Sequence, residues 1–296
     1  MDIVLIFNGL GNQMSQYAFY LAKRKVNAST KCIYYPDSLT CQHNGFELNN
    51  IFGIEMDGGE NVFYGRLLDA YLWSQVCDSR KRHWLRVIFE SMSVNRICER
   101  KFDFDQDCLD NGGYGIHFYY GGWHNPKYFS SIESEIRNTF HFDITSLDSR
   151  NKLLLEDINN CNSISIHVRR GDFLMQSNLF GNISNKEYYI RAIAYIKKYV
   201  ESPVFYVFSD DIVWCRENFF EPEINFIDWN TGTDSWKDML LISSCKHNIN
   251  ANSTFSWWGA WLNQNPKKIV IVPDKFMNSF DSEKIYPNEW IKISTK

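Results

Sequence analysis

From Ser163 onward, short apolar runs alternate with longer segments that repeat an apolar residue every three or four positions. Ser163–Val168 reads as a strand, and Ser184-Asn-Lys-Glu187 reads as a capping box opening a helix. That helix carries Tyr189, Ile193, Ile196 and Val200 on one face. VFYVF (204–208), INFI (224–227), HNINA (247–251) and KIVIV (268–272) are the following strands. Helices are expected between them near 211–219, 235–244 and 255–264. Such repeats build a parallel sheet covered on both faces, whose ligands bind beyond the carboxyl ends of the strands.

The chain opens the same way. DIVLIF (2–7) is a strand, Gly9-Leu-Gly11 a tight loop, and Asn12 a helix cap. Met14, Tyr17, Ala18, Leu21 and Ala22 then mark one helical face, and KCIYY (31–35) is the next strand. Residues 40–115 show weaker patterning, with one helix expected near 63–77. No internal repeat or low-complexity linker stands out. The pattern predicts an α/β protein with two Rossmann-like lobes facing a cleft, residues 1–155 and 156–296.

Composition narrows the classes. With 44% hydrophobic and 22% charged residues, the 296-residue chain is globular rather than disordered. A net charge of −4 argues against a nucleic-acid partner but leaves room for a local basic pocket. No apolar run approaches the ~20 residues of a membrane span, and the opening lacks the basic start of a secretory signal. Peripheral membrane contact stays open. The eight cysteines are scattered without a C-x-x-C pair, so reduced thiols in the cytoplasm are expected. Aromatics reach 16%, which suits core filling first and sugar or base stacking second.

Two stretches carry candidate chemistry. In SIHVRRGD (165–172) a strand delivers His167, Arg169, Arg170 and Asp172 to its carboxyl end. Alternation puts His167 and Arg169 on one face and Arg170 on the other. Guanidinium offers a planar fork for phosphate or carboxylate, and a salt bridge to Asp172 is the competing use. In NANSTFSWWG (250–259) a strand gives way to a helix within a few polar residues. Asn252, Ser253, Thr254 and Ser256 exceed what one cap needs, which suits an anion site at a helix N-terminus. Ser209-Asp210-Asp211 follows another strand and reads as a helix start or a ligand contact. GLGNQ (9–13) lacks the third glycine and the distal acid of a dinucleotide fingerprint. Asp103-Phe-Asp105-Gln-Asp107 has the spacing of a metal-binding D-x-D but sits in a poorly patterned region. His43, His83, His117, His141 and His247 lack partners at ligand spacing.

GLGNQMSQYA (9–18), GGWHNPKYF (121–129), SIHVRRGDF (165–173), VFSDD (207–211) and CKHNINANSTFSWWGAWLN (245–263), in this order, resemble the bacterial α-1,2-fucosyltransferases of glycosyltransferase family 11. The resemblance spans nearly the whole chain. It implies a compact GT-B fold and metal-free, inverting transfer of fucose from GDP-β-L-fucose, with GDP-fucose as a co-substrate and no cofactor. The implied acceptor is the 2-hydroxyl of a terminal β-galactoside, in surface-glycan or O-antigen assembly. By the same resemblance Arg169 holds the donor pyrophosphate with His167 beside the nucleotide, Asp238 reads guanine, and Thr254-Phe255-Ser256 forms the phosphate turn. Asn12, Asp210, Asn252 and Ser253 join the donor side; Gln13, Trp123 and His124 join the acceptor side. Ser15 stands where the family usually has Phe, and Gly122-Trp123-His124 where it has Y-W-Q, both on the acceptor side. Inversion asks for a base, for which Asp172 is the candidate, unless leaving-group departure dominates without one. A fucosyltransferase of another linkage or acceptor is the alternative within the class, and an NAD-dependent oxidoreductase and a non-catalytic glycan-binding module are the rival classes.

Overall fold

The computed structural model describes residues 1–36, 44–76, 80–110, 112–219, 222–279 and 283–295. Cys41, His43 and Cys77 lie outside the described residues. The chain divides into two units, Met1–His141 and Phe142–Lys296. The boundary falls earlier than expected because the Ser149–Asn160 helix belongs to the second unit. Its Asn151 Nδ2 donates to Asn230 Oδ1 at 2.9 Å, and its Asp148 meets Lys237 Nζ at 3.3 Å.

The first unit holds four strands: β1 (Asp2–Ile6), β2 (Lys31–Tyr34), β3 (Val94–Cys98) and β4 (Ile116–Tyr120). They pair in parallel in the order β2-β1-β4-β3. β1 has no exposed residue, which explains its unbroken apolar run. Ile3, Leu5, Ile33 and Phe118 pack against Leu68 and Phe89 of the Gly58–Gln75 and Arg80–Ser91 helices. The first long helix spans Leu10–Val26 and is capped at Gly9, not Asn12. Asn8 takes the left-handed conformation (φ 65°), so the chain turns one step earlier and Asn12 falls in the first turn. On this helix Lys23 is wholly buried, 3.0 Å from Asp2 and held by the Cys108 and Asp110 carbonyls at 2.9 and 2.6 Å.

The second unit holds β5 (Asn162–Val168), β6 (Pro203–Ser209), β7 (Ile224–Ile227), β8 (His247–Ile249), β9 (Val270–Pro273) and β10 (Ile291–Ile293). All pair in parallel, in the order β10-β9-β8-β5-β6-β7. Successive strands run outward from β5 through β6 to β7, and then the chain returns to β8 on the other side of β5. The strand order therefore reverses between β5 and β8, where open α/β sheets open a crevice. Ile164, Ile166, Phe205, Val207 and Ile249 form the core with Tyr188, Tyr189, Ile193 and Ile196 of the Lys186–Tyr199 helix. That helix is capped by Asn185, whose side chain accepts from the Tyr188 N–H at 2.9 Å. The expected capping box is thereby displaced. Ser184 instead donates to Asn252 Oδ1 at 2.8 Å. The Trp236–Ser244 and Thr254–Leu262 helices pack closely at Gly259, where a Cβ would lie 2.5 Å from the Ile242 side chain.

Candidate functional site

The register pairs Ile166 with Ile249, so His167 and Asn250 follow side by side at the carboxyl ends of β5 and β8. Both are almost completely buried. His167 Nδ1 and both side-chain polar atoms of Asn250 have no hydrogen-bond partner. Unpaired buried polar groups are costly and rare, and three in adjacent residues at a strand-order reversal mark a ligand position. His167 is neutral: burial first, and the Arg169 charge second, pull its pKa down to about 3. Its ring lies 5.5 Å from that of Phe255, in the first turn of the Thr254–Leu262 helix. That helix start is capped by Ser253, whose Oγ accepts from the Phe255 N–H at 3.3 Å. Helix N–H groups, the helix dipole and a neutral imidazole thus share one end of the sheet.

Arg169 follows directly on β5. Its Nε donates to Asp172 at 2.8 Å, and its Nη1 lies 3.3 Å from Asp210. About a third of each Arg169 and Asp172 side chain remains exposed. The guanidinium is therefore fixed in place by two carboxylates while part of its donor edge still faces solvent. Arg170 goes elsewhere, to Asp211 at 3.0 Å and over the Trp214 ring at 4.2 Å. The two guanidinium groups thus take different partners, although both residues lie past Val168, where β5 ends.

Several of the expected ligand residues have internal hydrogen-bond partners in this structure. Asp210 accepts from the backbone N–H of Arg170 and of Gly171 at 2.9 and 3.1 Å, so its carboxylate shapes this turn. A Cβ on Gly171 would come within 2.9 Å of that carboxylate, which accounts for the glycine. Asn252 gives its amide to the Phe180 and Phe276 carbonyls and its oxygen to Ser184. Ser256 is buried and bonds back to the Ser253 and Ala251 carbonyls. Of the four hydroxyl and amide groups expected at this helix start, Thr254 alone is left partly exposed with no internal bond.

Asp238 sits in the first turn of the Trp236–Ser244 helix. It accepts from Asn230 Nδ2 at 2.7 Å, and burial raises its pKa to about 7. Asn230 is itself held by Asn151, which also accepts from Trp229 Nε1 at 3.1 Å.

In the first unit, Asn12 is half-buried in the first helical turn. Gln13 is wholly buried, accepting from the Glu47 N–H and donating to the Asn8 and Gly45 carbonyls. Trp123 has no exposed surface and stacks on Phe19 at 4.1 Å. His124 bonds Ser15 Oγ at 2.9 Å, and burial lowers its pKa to about 3. Gln13 and Trp123 are therefore buried groups that support the segments around them. Sequence reasoning passed over Glu99, which organises this loop. Its Oε2 accepts from the Gly122 and Trp123 N–H groups at 2.9 and 2.8 Å, and burial lifts its pKa to about 7. With Trp123 at φ 54°, the carboxylate anchors a left-handed turn. Asn250 was likewise passed over as a site residue; only its place beside His167 reveals it.

The D-x-D spacing comes apart in the structure. Asp105 caps the Gln106–Leu109 helix, and the Asp103 carbonyl accepts from Tyr128. Among the described residues no three His, Cys, Asp or Glu side chains gather around a common point. Among them, too, no helix is long and apolar enough to cross a membrane.

Comparison with known proteins adds the following. The profile described as "Glycosyl transferase family 11" matches residues 76–294. An alpha-1,2-colitosyltransferase from Escherichia coli is 31% identical over 99% of this chain and 99% of its own. The Escherichia coli O-antigen biosynthesis glycosyltransferase WbnK is 31% identical over 96% and 98%. The galactoside alpha-(1,2)-fucosyltransferase 1 of Plecturocebus brunneus is 32% identical over 44% of this chain and 38% of its own. Among solved structures, the fucosyltransferase NodZ from Bradyrhizobium aligns over 91% of this chain and 94% of its own, with a TM-score of 0.51 at 13% identity. That likeness concerns the fold, which is α/β and GT-B-like with two Rossmann-like units.

Proposed function

This chain belongs to glycosyl transferase family 11, and from that premise we propose that it moves L-fucose from GDP-β-L-fucose to the 2-hydroxyl of a terminal β-galactoside, with inversion, in surface-glycan or O-antigen assembly. The observation that carries the donor side is the set of unpaired polar atoms on His167 and Asn250 where the strand order reverses. A nucleoside diphosphate offers acceptor oxygens to the Asn250 Nδ2 amide and to His167 Nδ1 in its protonated tautomer, and the start of the Thr254–Leu262 helix offers N–H groups beside them. Fucosyl departure builds positive charge on the sugar and negative charge on the leaving diphosphate. Fixed donors stabilise that separation most when they need not reorganise. Arg169 meets this condition because Asp172 and Asp210 already hold it. Asp172 is partly exposed and is the side chain we assign to accept the acceptor's proton.

A colitosyl donor is the second reading, favoured by the full-length match to an alpha-1,2-colitosyltransferase. The two sugars differ by the 3-hydroxyl. A site that hydrogen-bonds this hydroxyl rejects the deoxy analogue by up to roughly 10⁴–10⁵, whereas a site that ignores it discriminates weakly. GDP-fucose and GDP-colitose, each tested against a panel of β-galactosides with the linkage located by NMR, decide between them. A new α-1,2 bond from GDP-fucose with the higher kcat/KM is the expected result. Preference for GDP-colitose, or a linkage to another hydroxyl, overturns the fucosyl assignment.

A further inference from the structure

The Gly58–Gln75 and Arg80–Ser91 helices bury Leu68 and Phe89 in the first unit's core, but their outer side is apolar as well. Trp84, Val87 and Ile88 stand at i, i+3 and i+4 on the second helix and are 55%, 49% and 40% exposed. Trp73 and Val76, at the end of the first, are 47% and 71% exposed. Among the described residues, eight of the nineteen exposed large apolar side chains fall within residues 62–92. Singly exposed apolar residues are ordinary, whereas a concentration like this marks an interaction surface.

The same region is mildly basic in a chain of net charge −4: residues 62–92 carry five Arg and Lys against three Asp and Glu, and the excess is concentrated on the second helix and the strand after it, where residues 80–101 carry seven Arg and Lys against two Glu. Arg82 lies over the Trp73 ring at 4.5 Å, and Arg96 on the edge strand β3 lies over Tyr120 at 5.0 Å. We propose that this helical pair is a membrane-surface contact, which docks on anionic lipid headgroups and inserts Trp84, Val87 and Ile88 at the headgroup boundary. A basic amphipathic helix with Trp and aliphatic residues on its apolar side has the make-up of an interfacial helix. Its positive charge complements acidic lipid. A second copy of this chain is the less suitable occupant, because pairing through the same face would bring two basic rims together. The helix lies on the bilayer and does not span it.

The full chain is tested by co-sedimentation with vesicles of phosphatidylcholine alone and of phosphatidylcholine mixed with phosphatidylglycerol, at low and high salt. Binding to the mixed vesicles that weakens with salt is expected. The triple variant W84S/V87S/I88S and the double variant R82Q/R86Q should each weaken binding by roughly tenfold or more. L153S, at an exposed position in the second unit, is the control and should bind as the parent does. Melting curves establish that each variant is folded. Turnover on a soluble galactoside should be unchanged in all three, so the outcome is independent of the sugar assignment. Absence of binding to mixed vesicles, or binding indifferent to the triple variant, overturns the proposal. A dimer that the triple variant dissociates in sedimentation equilibrium overturns it too, by assigning the face to a second copy.

Discussion

At the scale of single residues, Arg169 and Arg170 separate function from framework. Arg169→Lys keeps the charge but loses the fork and the double carboxylate anchoring. Charge on the leaving diphosphate is greatest in the transition state, so kcat should fall by roughly 10²–10³ while donor KM changes less. Arg170→Lys keeps an ion pair with Asp211 and should retain most turnover. Steady-state kinetics on folded variants check both; a dead Arg170→Lys beside an active Arg169→Lys would reverse the roles. Asp238 supplies a pH test. A carboxyl raised to about 7 is mostly neutral in the free protein below that pH. Accepting hydrogen bonds from the guanine edge requires it ionised, so GDP should bind more tightly as pH rises from about 6 to 8 and should outbind ADP and UDP. For folding the sign is opposite: a raised acid pKa costs stability that grows as pH climbs from about 4 to 7. Asp238→Asn keeps an acceptor for Asn230, so it should lose base selectivity yet melt higher, with a larger gain at pH 8 than at pH 5.5. Calorimetry with the three diphosphates and melting curves at both pH values provide the check. The arginines were legible in sequence as cations delivered to a strand's carboxyl end, but both lie past Val168, where β5 stops, so their carboxylate partners and not strand alternation set their directions. Gln13 and Asn252 were not, because their partners lie tens of residues away and only the folded chain shows their polar atoms already occupied; Ser256 turns back to carbonyls three and five residues before it, a local choice that the run of polar residues does not single out.

At the scale of elements, legibility follows burial pattern. In the second unit β6 and β9 were readable because they are largely buried and their apolar runs are unbroken, β5 because isoleucines alternate with serines along it, while the short IKI strand β10 at the sheet edge was not anticipated. β3 was not: its VNRIC sequence lies on the sheet edge with Asn95 and Arg96 exposed, so no apolar run announces it. The Arg80–Ser91 helix escaped for a related reason, since apolar residues on its outer side blur the periodicity that one buried face would give. The Leu10–Val26 helix was readable, yet its attachment to β1 was not. That attachment runs through Lys23 and Asp2, both fully buried. Removing one member of such a pair leaves the other charged and unpaired in the core, at a cost of about 3–5 kcal/mol. Lys23→Met should therefore destabilise the protein by about that amount, although the side chain is nearly isosteric. Replacing both, as Asp2→Leu with Lys23→Met, should recover part of the loss. Denaturant titration of the three variants reads the coupling; a Lys23→Met midpoint equal to the parent would show that the buried pair contributes nothing.

At the scale of the whole molecule, the charge arithmetic bears on metal dependence. A chain of net charge −4 must stabilise a leaving group that becomes more negative as the reaction proceeds. One route places a divalent cation between carboxylates and diphosphate; the other uses positive groups of the protein itself. The acids of the second unit that stand nearest Arg169 are engaged with it and with backbone N–H groups, not arrayed toward a shared ion. Of the D-x-D acids of the first unit, Asp105 is drawn into local capping. What this end of the sheet offers an anion is Arg169, the N–H groups from Thr254 onward and the amide of Asn250. Turnover is therefore expected to persist in EDTA and to gain little from added Mg²⁺ or Mn²⁺. The same reasoning makes Asn250 matter more than its size suggests. Asn250→Asp puts a negative charge where diphosphate oxygens are to sit, and should weaken GDP binding far more than Asn250→Ala does, with EDTA changing neither ratio. Titration calorimetry with GDP, with and without chelator, measures this. If chelation abolishes binding or turnover and Mn²⁺ restores it, a metal supplies the charge that Arg169 and the helix start are here assigned.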